Sequence, residues 1–420
     1  MTNKNEENFD VAVIGGGPAG MMAALSASFG GAKVALIEKN QYLGKKLLLT
    51  GNGRCNLTQT GCDTREFIEK IGKNGKFLFS ALSAFGPKEI MDFFETFGLK
   101  LKTEKNGRVF PLSDRATDVR NALMKALEKN GVKIIFGQDV SEFKIKGKKI
   151  EYLELAGKKK IYADHFILAA GGKSYPSTGS AGDWYPKLEK MGHTVLAPAP
   201  ALVPIETGET WIKELQGISL KNITINLSAN NRKTAIGSGE IIFTHFGLSG
   251  PAVINASKAI GRHLKKGKVI LELDLLPTLN ISGLEEKMRR GFENNKKKAL
   301  KNYLSGIFPE KIALTLVRTV GMEKNCKISS ITRAEKTSLA RAIKSFPVTA
   351  TALLDFNHAM VTSGGINLKE VDPKTMRSKI ISNLSFAGEI LDLDGPTGGY
   401  NLQIAWSTGH AAGTWTARDN

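Results

Sequence analysis

The 420 residues are too many for one hydrophobic core of ordinary size, and the 41% hydrophobic content suffices for folding, so two or three domains are expected. The 59 Lys and Arg against 40 Asp and Glu give a net charge of +19, which favours polyanionic partners, nucleic acid above all, or else simply reflects solvated basic faces. Without a membrane span, a signal peptide or the cysteine pattern of a disulfide framework or zinc site, a cytoplasmic protein with no membrane contact and no metal is expected.

Residues 9–39 carry the strongest signal, because a strand, a glycine-rich turn, a helix, a second strand and an acid follow one another as in dinucleotide-binding folds. Gly15 permits the tight turn, Gly17 lets a pyrophosphate approach the backbone, and Gly20 lets the helix pack on the strand. The second strand ends in Glu38, where an acid accepts hydrogen bonds from a ribose. An acid favours a free ribose diol over a 2′-phosphate, so FAD or NAD is expected and NADP is not.

The next segment, YLGKKLLLTGNGRCNLT at residues 42–58, predicts a long ordered loop that wraps the cofactor, because glycines interrupt it three times. Its Gly-Asn-Gly-Arg turn offers close backbone approach, and Arg54 offers a fork of donors for a phosphate or a flavin carbonyl. Two roles are open for Cys55, a redox thiol or proton donor on the one hand and a small buried side chain on the other.

Later segments complete a parallel sheet. Residues 132–136 predict a third strand, and the following turn with Val140 is where an adenine commonly lies. A further buried strand ends in Ala170, Gly171 and Gly172, which places backbone N–H groups at the carboxyl edge of the sheet. The hydroxyls of residues 173–183, KSYPSTGSAGD, either cap a turn, which we favour, or face the cofactor.

The carboxyl-terminal segment IISNLSFAGEILDLDGPTGGY, residues 380–400, carries the second strong signal. A strand delivers Gly388 and Glu389 at its end, and a glycine-rich turn starts a helix whose N-terminus faces an electron-rich group. In a flavoprotein that group is the C2 carbonyl and N1 of the isoalloxazine, and Glu389 holds the ribityl hydroxyls. The cofactor is therefore FAD, because a simple NAD domain needs no second partner segment.

These segments together predict a set of residues that bind FAD. They are Gly15, Gly17, Pro18, Ala19, Gly20, Glu38, Lys39, Lys46, Gly51, Asn52, Gly53, Arg54, Cys55, Asn56, Val140, Ala170, Gly171, Gly172, Gly388, Glu389, Asp394, Gly398, Gly399, Tyr400 and Asn401. No second GxGxxG motif follows a strand, so NAD(P)H is expected only as a transient electron donor.

The chain resembles a bacterial flavoprotein family, known as the aminoacetone oxidase family or as NAD(P)/FAD-dependent oxidoreductases. Besides the N-terminal fingerprint, the motifs that carry the resemblance are KKLLLTGNGRCNLT, GGKSYPSTGSAGD, FTHFGLSGPAV, HAMVTSGGI and FAGEILDLDGPTGGYNLQIAWSTG. They span nearly the whole chain. The resemblance implies an FAD-binding domain of the glutathione-reductase type, built from both chain ends and interrupted by a β-barrel-like domain with a helical insert.

The periodicity agrees with that division. A proline-rich linker at residues 197–204 marks a boundary, a period near two follows, and the pattern from residue 280 is helical and basic. The predicted fold is α/β, a discontinuous Rossmann-like FAD domain with an inserted antiparallel β-barrel-like domain and a small helical insert. The predicted domains are 1–196 with 367–420 for FAD, 197–277 with 346–366 for the substrate, and 278–345 for the helical insert.

Three functions compete. The first, which we favour, is a reductase that transfers hydride from reduced FAD to an activated C=C bond. Among the substrates that the resemblance implies, we prefer uridine in ribosomal RNA, because a net charge of +19 favours a polyanionic substrate. The second is a flavin oxidase of small amines such as aminoacetone, and a steroid-like enone reductase is a further alternative that the resemblance implies. The third is an RNA-associated protein in which FAD is only structural.

A reductase needs an acid to protonate the carbon next to the one that accepts hydride. The candidates are Cys55, His245, His358 and Tyr400. His245 lies in the loop THFGLSGP, where it either serves as this acid near neutral pH or is a histidine hydrogen-bonded within a turn.

Overall fold

The computed structural model describes residues 6–229 and 232–417. Its strands, in chain order, are β1 (Glu6–Ile14), β2 (Val34–Glu38), β3 (Thr58–Gln59), β4 (Leu101–Thr103), β5 (Arg108–Pro111), β6 (Lys133–Phe136), β7 (Val140–Lys146), β8 (Lys149–Leu155), β9 (Lys160–Leu168), β10 (Val195–Ala201), β11 (Ile205–Thr207), β12 (Ser219–Ala229), β13 (Arg232–Phe243), β14 (Gly247–Ser249), β15 (Val269–Asp274), β16 (Phe346–Leu353), β17 (Val361–Ile366) and β18 (Leu384–Phe386). Its helices are α1 (Pro18–Phe29), α2 (Thr64–Ile71), α3 (Phe79–Ala84), α4 (Pro87–Thr96), α5 (Ala116–Lys129), α6 (Trp184–Lys190), α7 (Pro251–Leu264), α8 (Ile281–Glu293), α9 (Leu300–Leu304), α10 (Glu310–Thr319), α11 (Arg333–Lys344) and α12 (Tyr400–Ala417).

The chain divides into two compact units. The first comprises Met1–Pro200 with Met360–Asn420, and the second comprises Ala201–Ala359. The sequence prediction assigned residues 361–366 to the β domain, whereas β17, which these residues form, pairs with β10. The chain thus returns to the first unit a few residues earlier than predicted.

The first unit is built on a sheet with the strand order β6-β2-β1-β9-β8-β7, to which β18 adds by pairing with β9. The strands β6, β2, β1, β9 and β18 run parallel, and the hairpin β7–β8 extends the sheet in antiparallel fashion. Val11 and Val13 on β1 are fully buried, as expected for a central strand covered on both faces. This arrangement confirms the predicted Rossmann-like α/β class.

Helices α1 and α12 pack closely because small residues remove side chains from their contact. A Cβ on Gly409 would lie 2.4 Å from the carbonyl oxygen of Ala19, and a Cβ on Gly413 would lie 2.2 Å from that of Ala23. The carboxyl-terminal helix is therefore fixed against the helix of the N-terminal fingerprint. Within the described part of the chain, no helix is long and apolar enough to span a bilayer.

The second unit contains a closed antiparallel barrel with the strand order β11-β14-β13-β12-β15-β16. Helices α8 to α11 lie in the chain between β15 and β16. Leu284, Leu316 and Leu339 on these helices belong to the same hydrophobic cluster as Leu271 and Phe346 on the barrel. The helical segment and the barrel thus share one core.

Candidate functional site

A cavity lies at the carboxyl ends of β1, β2 and β9, the edge at which doubly wound sheets bind ligands. Its empty space, counted to the open mouth, is about 1400 Å³. The predicted FAD-binding residues that line it are Gly15, Gly17, Pro18, Ala19, Glu38, Lys39, Lys46, Val140, Ala170, Gly171, Gly172, Gly388, Glu389 and Asn401. Those that do not line it are Gly20, Gly51, Asn52, Gly53, Arg54, Cys55, Asn56, Asp394, Gly398, Gly399 and Tyr400. We call this space the cofactor cavity.

The glycine turn between β1 and α1 meets three different steric needs. A Cβ on Gly15, whose φ is +101°, would lie 2.5 Å from the carbonyl oxygen of Ala169, and a Cβ on Gly20 would lie 1.8 Å from that of Gly15. Both positions therefore exclude any side chain. A Cβ on Gly17 would meet nothing within 4 Å, because Gly17 borders the cofactor cavity. The space before the N-terminus of α1 is thus open to a pyrophosphate.

Glu38, at the end of β2, is fixed by backbone and side-chain donors. Its Oε2 accepts a hydrogen bond from the backbone N–H of Gly16 at 2.7 Å. Its Oε1 accepts from the backbone N–H of Asn40 at 2.8 Å and from Asn40 Nδ2 at 2.6 Å. A carboxylate offers about four acceptor positions, so an oriented acceptor remains for a ribose hydroxyl.

Glu389 lies in a network that crosses the cofactor cavity. Lys46 Nζ lies 2.7 Å from Glu389 Oε2 and 2.7 Å from Ser174 Oγ. Glu389 Oε1 accepts from Ser174 Oγ at 2.6 Å and from the backbone N–H of Thr362 at 2.7 Å. Burial acts to raise the pKa of Glu389, but the charge of Lys46 and these hydrogen bonds outweigh it and hold the pKa below its usual range. Both oxygens of the carboxylate, which was predicted to hold the ribityl hydroxyls, therefore already have protein donors.

Asn401 fixes the loop that precedes α12. Its Oδ1 accepts from the backbone N–H of Gly395 at 2.8 Å, and its Nδ2 donates to the carbonyl oxygen of Gly395 at 2.8 Å. A Cβ on Gly399 would lie 2.4 Å from the carbonyl oxygen of Thr58, so the loop passes directly over that backbone. Asn401 and Leu402 line the cofactor cavity, which places the first turn of α12 beside it.

These features fit FAD. The open space at Gly17 and the N-terminus of α1 suit a pyrophosphate, and Glu38 suits the adenosine ribose. The first turn of α12 presents backbone N–H groups and the positive end of a helix dipole, which suit the C2 carbonyl of a flavin. The cofactor predicted from the sequence is thus compatible with the donors and the space that the first unit provides.

Arg54 has partners other than those expected. Its Nη2 lies 2.6 Å from Glu104 Oε1, its Nε lies 2.7 Å from Asp114 Oδ1, and its guanidinium lies 3.9 Å from the centre of the Phe110 ring. The hydrogen bonds to Glu104 and Asp114 raise the pKa of Arg54. Two carboxylates thus occupy donors of Arg54 in this structure, and binding of a phosphate or a flavin carbonyl by this residue stays a prediction.

Cys55 and Tyr400 are both enclosed by protein. Cys55 is fully buried in the hydrophobic core, and burial raises the pKa of its thiol to about 12, which does not suit a proton donor or a redox thiol. Tyr400 packs on Phe67, and its Oη lies 3.9 Å from Cys62 Sγ. Burial raises the pKa of Tyr400, Lys70 opposes this, and Cys62 adds to it. The small buried side chain is thus the role that fits Cys55.

The two candidate histidines belong to the second unit. His245 is exposed in the turn between β13 and β14, where its ring contacts Phe246 edge-on and forms no hydrogen bond to a described residue. His358 is also exposed, but its Nδ1 lies 2.8 Å from Asp355 Oδ1, and this contact lowers the pKa of Asp355. Across residues 6–229 and 232–417, no group of three or more His, Cys, Asp or Glu is placed to hold a metal ion.

The structure also brings into the site residues that the sequence did not single out. Ser174 and Thr362 both donate to Glu389, and Thr362 Oγ1 accepts from the backbone N–H of Lys173 at 2.7 Å. Ser174 lies in residues 173–183, whose hydroxyls were expected to cap a turn. The sequence signal for Ser174 is therefore a cluster of hydroxyl side chains directly after the glycines that end a predicted strand. Thr362 lies in the motif HAMVTSGGI, which contributed to the resemblance but gave this residue no role.

Comparison with known proteins gives a consistent result. Residues 9–415 match the family described as HI0933-like protein Rossmann domain. The chain is 34% identical over 406 residues to a 3-dehydro-bile acid delta(4,6)-reductase of Clostridium scindens, covering 96% of this chain and 98% of that protein. It is 28% identical over 403 residues to the ribosomal RNA dihydrouridine synthase of Haemophilus influenzae, covering 95% and 96%.

The fold is also shared with enzymes of solved structure. A 3-ketosteroid delta1-dehydrogenase from Sterolibacterium denitrificans, in complex with 1,4-androstadiene-3,17-dione, aligns with a TM-score of 0.56 and 12% identity over 98% of this chain and 100% of that chain. A 3-ketosteroid-delta4-(5alpha)-dehydrogenase from Rhodococcus jostii aligns with a TM-score of 0.54 and 14% identity, covering 98% and 97%. At such low identity the likeness concerns the fold alone.

Proposed function

The chain belongs to the HI0933-like Rossmann-domain family and is an FAD-dependent oxidoreductase, and on that premise we propose that it reduces an activated C=C bond, with uridine in structured RNA as its substrate. The names of the two full-length relatives support the reaction. A delta(4,6)-reductase and a dihydrouridine synthase both saturate a carbon–carbon double bond of a ring. The reaction type is therefore common to relatives whose substrates differ completely.

The chain's own groups support this chemistry at several points. Bound FAD, once reduced, supplies hydride from N5 to the electron-poor carbon of such a bond. The N-terminus of α1 and the open space at Gly17 would hold the pyrophosphate, and Glu38 would orient the ribose. The first turn of α12 would stabilise negative charge at the pyrimidine end of the flavin.

The observation that carries RNA as the substrate is the distribution of charge. The second unit, Ala201–Ala359, holds 24 Lys and Arg against 13 Asp and Glu, so it carries +11 of the total of +19 in well under half of the residues. A positive potential of this kind attracts a polyphosphate, whereas it does not attract a small neutral amine. A cyclic enone of the steroid type is the second candidate, because identity to the bile acid reductase, 34%, exceeds the 28% to the RNA enzyme.

For the proton we propose His245. Cys55 and Tyr400 are enclosed by protein, and His358 is paired with Asp355, whereas the ring of His245 is exposed. Histidine is the side chain that most often serves as a general acid or base in enzymes.

Reoxidation kinetics test the proposal. The FAD-loaded protein is reduced anaerobically with NADH or NADPH and mixed in a stopped-flow instrument with oxygen, a cyclic enone, or ribosomal RNA. We expect RNA to restore the oxidised flavin spectrum faster than oxygen does. Faster reoxidation by the enone than by RNA would favour the second candidate. Rapid reoxidation by oxygen, together with reduction of the flavin by an amine, would show an amine oxidase and contradict the proposal.

A further inference from the structure

The helical segment of the second unit is strongly basic. Residues 278–345 contain 15 Lys and Arg against 6 Asp and Glu. Part of this charge is neutralised within α8. Arg289 lies 2.8 Å from Glu286 and 2.9 Å from Glu293, and Arg290 lies 2.6 Å from Glu286. The arginines of this helix therefore have local partners, and the unpaired charge must lie elsewhere in the segment.

Lysines gather where the turn after α8 meets the segment before α11. The turn contains Lys296, Lys297 and Lys298, whose side chains are exposed. The backbone N–H of Ile328 donates to the carbonyl oxygen of Lys298 at 3.0 Å, and Ala299 forms a β-bridge with Lys327. These backbone contacts bring Lys327, which is also exposed, beside the turn. We call Lys296, Lys297, Lys298 and Lys327 the lysine turn.

The charges of the lysine turn are free to meet a partner. Within the described residues, no carboxylate forms an ion pair with any of the four lysines. Two neighbouring carboxylates have other partners, since Glu293 pairs with Arg289 and Glu335 accepts from the backbone N–H of Thr332 at 2.7 Å. A third, Glu323, is close enough to raise the pKa of Cys326 but forms no ion pair with the four lysines in the described part of the chain. Four like charges held close together repel one another, and an external anion relieves that repulsion.

The surroundings of the lysine turn indicate the kind of anion. Within the described residues 278–345, Ile281 at the start of α8 is the one large hydrophobic side chain that is exposed, so this segment lacks the row of apolar anchors of a helix that lies in a membrane surface. The exposed neighbours are Asn294, Ser329 and Ser330, which offer hydrogen bonds to phosphate oxygens and sugar hydroxyls. Lysine binds phosphate as a compact point charge, which suits contacts to the nucleic-acid backbone.

We propose that the lysine turn docks the phosphate backbone of structured RNA, without reading its sequence, and so retains the RNA whose uridine the enzyme reduces. The inference rests on the proposed RNA substrate. It assigns binding to a surface of the second unit that is separate in the chain from every residue of the cofactor cavity. Loss of the lysine turn should therefore change RNA affinity and its salt dependence, and leave FAD binding unchanged.

The test compares two triple variants with equal loss of charge. The first is Lys296→Gln with Lys297→Gln and Lys298→Gln. The control is Lys146→Gln with Lys148→Gln and Lys149→Gln on the β7–β8 hairpin of the first unit, where Lys146 pairs with Glu151. A fluorescein-labelled RNA stem–loop is titrated with each FAD-loaded protein by fluorescence anisotropy at salt concentrations between about 50 and 200 mM.

We expect the lysine-turn variant to lose about tenfold or more in RNA affinity at the lowest salt concentration. The slope of log affinity against log salt should become less negative by about 2, because each lost phosphate contact removes roughly 0.7–0.9 from it. The control should stay within about threefold of the natural protein. Flavin absorbance per protein and the circular dichroism spectrum verify that both variants are folded and loaded.

Three results would overturn the inference: unchanged RNA affinity in the lysine-turn variant, an equal loss in the control, or binding of the natural protein to phosphatidylglycerol vesicles in place of RNA. The proposed function fails separately. If RNA affinity falls as expected but RNA never reoxidises the flavin of the natural protein, the docking surface stands and the substrate assignment does not.

Discussion

The cofactor cavity and the lysine turn use charge in opposite ways. In the cavity, Glu38 and Glu389 are largely shielded from solvent, and every donor around them is fixed at hydrogen-bond distance. In the lysine turn, four exposed ammonium groups have no carboxylate partner among the described residues. Charges that are shielded from solvent interact with fixed neighbours, and salt screens these interactions little. Solvated charges attract a partner through their combined electrostatic potential, which salt screens strongly. The first arrangement suits a resident cofactor and the second a large anion that comes and goes.

The glycine turn should give the largest effect. Gly20→Ala places a methyl group 1.8 Å from the carbonyl oxygen of Gly15, so we expect a loss of about 3 kcal/mol or more in the free energy of unfolding. Gly17→Ala is the matched control, since its methyl group enters the open cavity. The Gly17→Ala apoprotein should keep the melting temperature of the natural apoprotein, while its affinity for FAD falls about tenfold. Thermal unfolding and flavin fluorescence titration measure the two effects, and equal destabilisation by both substitutions would contradict the account of the cavity.

His245 tests whether the second unit contributes chemistry as well as binding. We expect His245→Asn to lower turnover about 100-fold, the smaller end of what a general acid supplies, while the flavin spectrum is unchanged. His358→Asn should stay within about threefold, because that ring is held by Asp355. Steady-state rates with an excess of reductant provide the comparison. A larger loss of turnover in His358→Asn than in His245→Asn would identify His358 as the proton donor.

The ion pair in the cofactor cavity should matter to stability. Lys46→Met leaves Glu389 without its cation, and we expect a loss of about 1–3 kcal/mol in the free energy of unfolding at neutral pH. Lys45→Met is the control in the neighbouring position. Lys45 is half-buried, and among the described residues its ammonium donates to the carbonyl oxygen of Ser177 and to no carboxylate, so its loss should cost about 0.5 kcal/mol or less. Urea unfolding measures the free energy of unfolding of both variants. Similar losses would show that the ion pair between Lys46 and Glu389 contributes nothing to stability.

The same pair predicts a pH dependence. Because the pKa of Glu389 is lowered in the folded state, its contribution to stability is full above the unfolded pKa, about 4.3, and is lost as the pH falls through the lower folded pKa. Glu389→Gln should therefore have a flatter stability profile than the natural protein on the acid side of pH 4.3. Urea unfolding at successive acid pH values tests this, and identical slopes would argue against an ionised Glu389 in the fold.

Cys55 should give the smallest effect. Its buried thiol has a pKa raised to about 12, so iodoacetamide should leave it unmodified in the native protein, while Cys62, which is half-buried, reacts first. Cys55→Ala should change turnover by less than about twofold. Peptide mass spectrometry after timed alkylation gives the order of reaction. Rapid native labelling of Cys55 would restore the redox role that its burial argues against.

The sequence was most informative where a function is encoded locally. Gly15, Gly17 and Gly20 lie within six residues, and each steric need follows from its place between a strand and a helix. Glu38 was found because a strand ends there. The Rossmann-like class and FAD were both confirmed, since they depend on such patterns repeated at the two ends of the chain.

The sequence was least informative where partners are distant. The two carboxylate partners of Arg54 were not anticipated because they lie 50 and 60 residues further along the chain. The bond between Lys46 and Glu389 spans 343 residues, so neither local spacing nor composition reveals that each neutralises the other. Similarly, the basic run at residues 287–301 does not show which cations α8 neutralises. Only the fold separates its paired arginines from its free lysines.

The most direct test of the central claim is an anaerobic single turnover. Protein with reduced FAD is mixed with an RNA that contains uridine, flavin absorbance is followed, and the RNA is then digested and examined by mass spectrometry. We expect flavin oxidation to be matched, in equal amount, by nucleosides that have gained the mass of two hydrogen atoms. Flavin that stays reduced in the presence of RNA, or that is oxidised without any gain in nucleoside mass, would contradict it.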